Sequence, residues 1–215
     1  LSLAAALLVA LYPDDLTDTV SAGSDTFSRS ALGHRALAEV LTAEGVTVLK
    51  SRSATGRRIR QGSVLLLAEP PAHEEGRHRH RDTAELVIDG LDEEAFVVVV
   101  LPKWSGRNDP LNTRHVEHVV LRPVGEVEAA LAATWPWSDG SAIAGSVIRP
   151  DGPVGEWTWS DSGQGDVSRT PAAAGLAPTL QAPQLIDAEA LDLRTVLGSR
   201  HGALIASDGG NFWVM

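Results

Sequence analysis

The chain has 215 residues, of which 43% are hydrophobic, with a formal net charge of -10 and no cysteine. That length and apolar content suit a globular core, and the acidic balance opposes a general nucleic-acid surface, which needs a concentrated excess of Lys and Arg. The absent thiol excludes disulfides, thiolate metal sites and a cysteine nucleophile, and leaves the redox compartment undecided.

The first stretch, "LSLAAALLVALYPDD", carries an eleven-residue apolar run. A membrane span needs roughly 20 apolar residues. Two expectations therefore stand side by side: the first helix of a soluble fold, or the tail of a longer anchor. Asp14 to Ser28 is rich in Asp, Thr and Ser and predicts a loop or extended arm.

"SRSALGHRALAEVLTAEG" predicts a helix with Ser30 as N-cap, an apolar stripe of Leu37, Val40 and Leu41, and Gly45 as its stop. "VTVLK" then predicts a strand. Beyond a basic loop, "SATGRRIRQG", the continuous run "SVLLLAEPP" fits a strand buried on both faces of a parallel sheet. A helix over Asp82 to Gly90 leads into "FVVVVLP", which reads as a central strand buried on both faces and ended by Pro102. Helix, strand, helix, strand is the order of an α/β sheet with crossover helices.

"HVVLRP" predicts a further short strand and "GEVEAALAAT" a short helix or turn. From Trp135 onward helical periodicity is lost, and short runs of Trp, Val and Ile between Gly, Ser, Asp and Pro predict antiparallel strands or hairpins. A Pro/Ala loop, "TPAAAGLAPTLQAPQ", leads to "GALIASDGGNFWVM", two strands around an Asp-Gly-Gly turn. That closing segment ends in an apolar run, and the native chain is expected to continue beyond Met215.

The segments "SRSALGHRALAEVL", "GVTVLK", "VLLLAEPP", "FVVVVLPKW" and "GALIASDGGNFWVM" together resemble the bacterial family labelled domain of unknown function 4350, from about residue 21 to the C-terminus. The resemblance implies a three-layer α/β sandwich with a mainly parallel central sheet, akin to class I glutamine amidotransferases and ThuA-like proteins. It also implies flanking membrane spans and an accessory role beside membrane-protein partners. Amidotransferase activity itself is rejected, because the nucleophilic cysteine it requires does not exist in this chain. The Trp-rich region after Trp135 has no counterpart in that fold core.

In open α/β sheets ligands sit beyond the carboxyl ends of the strands. Here those ends are Ser51 and Arg52, Glu69, Lys103 and Trp104, and Ser207 and Asp208. Brought together they would bind a polar or anionic ligand; the plainer account, which is favoured, is that buried strands end in polar residues where they meet solvent. "SDTFSRSALG" offers hydroxyls, backbone amides and Arg29 at a helix start, an anion-binding arrangement in principle, but capping by Ser28 or Ser30 explains the same letters.

"HEEGRHRHR" gathers His73, Glu74, Glu75, His78 and His80, but Arg77, Arg79 and Arg81 would repel a dication and the run reads as a solvated loop, so no metal is expected. Trp135 with Trp137, and Trp157 with Trp159, form two W-x-W pairs that on strands would each present an aromatic surface for sugars or a peptide. A small tryptophan-packed core is the favoured alternative. No G-x-S-x-G elbow, Walker A loop or G-x-G-x-x-G motif is present, so no cofactor is expected.

The sequence thus predicts an N-terminal segment over 1–20 and one α/β domain over 21–215 with a β-rich insertion at about 135–182. The expected function is a non-catalytic interaction or ligand-binding domain of a membrane-associated bacterial protein, facing outward from the cytoplasm; a cytoplasmic location is the alternative. The competing class is a hydrolase using Glu69, Lys103 and Asp208.

Overall fold

The computed structural model describes residues 33–51, 59–70, 83–109, 111–112, 115–137, 143–159 and 179–215. The chain divides into two compact units, one of Leu1–Ser53 with Trp104–Leu121, the other of Ala54–Lys103 with Arg122–Met215.

In the first unit, α1 spans Arg35–Ala43. It stops where the sequence says it should. Gly45 has φ +85, its amide donates to Thr42 O and the Val46 amide to Leu41 O, the paired bonds of a Schellman motif that satisfy carbonyls the helix leaves open. At the other end His34 occupies the N-cap position and makes no side-chain capping bond. The expected cap, Ser30, lies outside the described residues and four positions before that point in the sequence.

The expected strand over "VTVLK" is not formed: Val46–Lys50 is irregular, with Val46 and Leu49 exposed. Alternation confers a preference for extended chain, but a strand exists only where its amides and carbonyls find a neighbouring ladder. The first unit also holds an antiparallel pair, β3 (Trp104–Asn108) and β4 (Val116–Leu121). The register shifts between Ser105 and Arg107, where His118 takes φ 52, so that β4 carries one extra residue as a bulge.

The second unit is a mixed α/β body. Strands β1 (Val64–Ala68) and β2 (Phe96–Val100) pair in parallel, joined through α2 (Thr83–Asp92), and β10 (Phe212–Val214) lies parallel to β2 on its other side. The predicted helix-to-strand crossover is therefore present. All other neighbours are antiparallel. β9 (Gly202–Ser207) pairs with β8 (Arg194–Ser199) along one edge, and along its other edge with β10 and then with β7 (Leu185–Ile186), which pairs with β5 (Val147–Ile148). β6 (Thr158–Trp159) joins β8. The Trp-rich region does form short antiparallel strands, as its texture predicts.

Burial in β2 alternates instead of covering both faces. Val97 and Val99 are fully buried, whereas Val98 and Val100 are partly covered. The Val97 face takes α2, because a Cβ on Gly90 would come within 2.8 Å of Val97 Cγ2. The core of the unit joins Val87 of α2, Val97 and Val99, Val127 and Leu131 of α3 (Val124–Ala132), and Phe212 and Val214. α3 is tied down by Glu128, whose Oε1 accepts from the Gly145 amide at 2.8 Å.

Candidate functional site

Strand polarity decides which of the candidate residues can meet. The Glu69 amide donates to Val100 O and the Leu101 amide to Met215 O, so Glu69, Lys103 and the C-terminus share the carboxyl edge of the parallel strands. Asp208 lies at the other edge. Its amide donates to Phe212 O, level with Val97, because β9 runs against β10. Val97 to Leu101 alone spans about 13 Å at ~3.3 Å per residue. A hydrolytic trio of Glu69, Lys103 and Asp208 is therefore not assembled.

The Asp208 carboxylate also has a structural task. Its Oδ1 accepts from the Gly210 amide at 2.7 Å and the Phe212 amide at 3.2 Å, closing the Asp-Gly-Gly turn. Ser207 is buried and accepts from the Gly209 amide.

The carboxyl edge is not an open crevice, since β7 and β5 continue the sheet beyond it. β9 starts at the carboxyl end of β10 and there pairs with β7, so β7 and β5 cover the region into which β2 exits. Leu101 and Pro102 are buried in consequence. The register of β5 against β7 places Arg149 opposite Gln184, one step past the Ile148–Leu185 pair.

Those two side chains close a ring of hydrogen bonds. Arg149 Nη2 donates to Gln184 Oε1 at 2.7 Å and Gln184 Nε2 donates to Pro102 O at 3.3 Å. Arg149 Nη1 donates to Arg122 O, and the Arg122 amide donates to Lys103 O at 3.0 Å. The ring thus holds together the residues at which the chain leaves the second unit, Lys103, and re-enters it, Arg122.

Lys103 is half-buried, and burial holds its ammonium below the ordinary lysine value, with the Arg149 charge lowering it further. Burial also lowers Arg149. Glu69 follows β1 with φ 51, a backbone conformation that costs a non-glycine residue on the order of 1 kcal/mol or more. Of the candidate ligand-binding set, only Glu69 and Lys103 are found on one edge. Ser30 and Arg52 lie outside the described residues, as does the His73 to His80 run, and Trp104 opens β3 in the other unit.

Arg149, Gln184 and Arg122 stand outside the candidate residues that strand ends and motifs mark in the sequence. Arg149 had a usable signal, since "SVIRP" ends an apolar pair with a cation and a proline much as "VVVVLPK" does. Gln184 had none, because its role comes from register alone.

The aromatic candidates separate as well. Trp135 is a core residue at 8% exposure, while Trp137 is 43% exposed. The two rings do not share a strand face: they meet edge-on at 4.9 Å, and both pack against buried Phe212, at 5.7 and 5.2 Å. Trp157 is half-buried, and the Trp159 side chain lies outside what is described.

A different surface stands out in the first unit. Among the described residues, eight of the thirteen exposed large apolar side chains belong to it. Leu37 and Val40 lie on α1 and Val46 and Leu49 follow it; the hairpin contributes Val119, Val120 and Leu121, with Leu111 between its strands. Val119 and Val120 are neighbours on one strand and therefore point to opposite faces, so both faces of the hairpin carry exposed apolar area.

No family model matches the chain, and neither a curated protein nor a solved structure matches it significantly.

Proposed function

We propose that this chain is a non-catalytic interaction module that binds a partner protein through the β3–β4 hairpin. The observation that carries this reading is the exposed Val119, Val120 and Leu121 on a two-stranded ribbon. Two strands alone are marginally stable in water, and exposed apolar groups on such a ribbon favour an added strand or a packed surface. The solvated turn role of Asp208 and its distance from Lys103 weigh against the hydrolase alternative.

The β1–α2–β2 crossover and the resemblance in "VLLLAEPP" and "FVVVVLPKW" support a three-layer, amidotransferase-like body as the scaffold, and the same resemblance supports a membrane-protein partner. A photo-activated cross-linker at position 119, compared with one at the exposed Glu189, tests the hairpin in producing cells. A discrete adduct from position 119 that Val120→Lys abolishes is expected. Equal labelling from both positions would refute the reading.

A further inference from the structure

The β3–β4 ribbon is a sheet of two strands, and among the described residues no third strand pairs with either edge. The two edges differ. β4 carries the bulge at His118, a device that interrupts pairing, whereas β3 has no extra residue. The Arg122 amide donates to Lys103 O and the Asp109 amide to His115 O, so the ladder runs from 103 to 109 with its odd-numbered residues bonded to β4. Gly106, exposed at the midpoint, therefore directs its N–H and C=O away from β4.

This edge is self-complementary in one register. Two-fold pairing of β3 with itself can centre on Ser105, Gly106 or Arg107. Centred on Arg107 it opposes two arginines, and centred on Ser105 it opposes Lys103 to Arg107; like charges directly opposite destabilise a pair. Centred on Gly106, Ser105 faces Arg107 and Lys103 faces Asp109, a pair of opposite charge repeated at both ends. The bulge brings Val116 to the same side of the ribbon as Trp104, Val119 and Leu121, so two joined hairpins share one apolar face. Three or more strands with such a face pass the limit at which two are only marginally stable.

We propose that β3 pairs antiparallel with β3 of a second copy of this chain about a two-fold axis at Gly106, joining two hairpins into a four-stranded sheet. This rests on the reading of the hairpin as the docking element and divides its surface: the β3 edge takes the second copy, and the apolar faces remain for the partner protein.

The chain has no cysteine, so introduced cysteines report the register. Opposed residues lie about 4.5–5.5 Å apart at Cα and can be bridged, whereas residues two steps off lie about 7–8 Å apart and cannot. Under mild oxidation the whole chain with Gly106→Cys should form a disulfide-linked dimer. Chains with Ser105→Cys and with Arg107→Cys should cross-link to each other several-fold more than either does alone. Sedimentation velocity should show a concentration-dependent dimer of the unaltered chain. Gly106→Pro, which removes an outward amide and no bond to β4, should dissociate it with an unchanged far-UV spectrum.

An unaltered chain that stays monomeric as its concentration is raised would overturn the proposal. Equal cross-linking from positions 105, 106 and 107 singly, or a dimer that survives Gly106→Pro, would show that copies meet elsewhere. Cross-linking at position 119 reads the apolar face and the disulfides read the edge, so each idea fails by its own measurement.

Discussion

Arg149 and Gln184 face one another across the β5–β7 pair, Nη2 to Oε1 at 2.7 Å, and between them reach both Arg122 O and Pro102 O. Two side chains from the region after Trp135 thus fasten the exit of β2. Hydrogen bonds to a charged donor contribute about 1.5–3 kcal/mol each when partly buried.

A double-mutant cycle with Arg149→Met and Gln184→Leu should return a coupling of about 1–2 kcal/mol in urea unfolding. Additive losses would mean that the pair does not act as a unit.

Lys103 makes stability depend on pH in the alkaline range. Its folded value lies below the ordinary 10.5, so between the two the unfolded chain binds more protons than the folded one. Its contribution therefore raises stability as pH increases through that window, and below the window the full cost of holding a charged, half-buried ammonium beside Arg149 remains. Lys103→Met should flatten this rise, measured by urea midpoints from pH 8 to 10.5 against the parent.

Gly90 shows a competition between local and tertiary preference. Alanine gains about 1 kcal/mol of helix propensity over glycine, but here its Cβ would meet Val97 Cγ2 at 2.8 Å and Leu65 Cδ2 at 3.3 Å in a packed interface. Overpacking of this kind costs about 1–3 kcal/mol. Gly90→Ala should therefore lose about 1 kcal/mol net by chemical denaturation, and a gain in stability would show that α2 can shift away from β2.

The tryptophan pair should divide by burial. Trp135→Ala removes a core ring and should cost about 3–5 kcal/mol. Trp137→Ala removes a half-exposed ring and two edge contacts, each worth about 0.5–1.5 kcal/mol beyond burial, and should cost about 1–2 kcal/mol. Thermal unfolding of the two variants, followed by far-UV circular dichroism, ranks them; the reverse order would contradict the packing around Phe212.

Periodicity and composition by themselves determined the local elements. The stripe and Gly45 marked α1, unbroken apolar runs marked β1 and β2, and Asp208-Gly209-Gly210 marked the last turn, because each depends on side-chain spacing or on glycine's access to positive φ. The absence of cysteine excludes a cysteine nucleophile whatever the fold. Other elements gave no such signal. "WSGRN" forms β3 only because β4 returns beside it, and "VTVLK" has strand spacing yet remains irregular.

Only the tertiary structure decided where polar groups meet. The reversal at the Asp208 turn sent that carboxylate to the edge opposite Lys103, and the pairing of β9 with both β10 and β7 brought Arg149 and Gln184 onto the exit of β2. Strand direction and register are relations between distant segments. They follow from which ladders and faces satisfy the whole chain, and no local spacing encodes them.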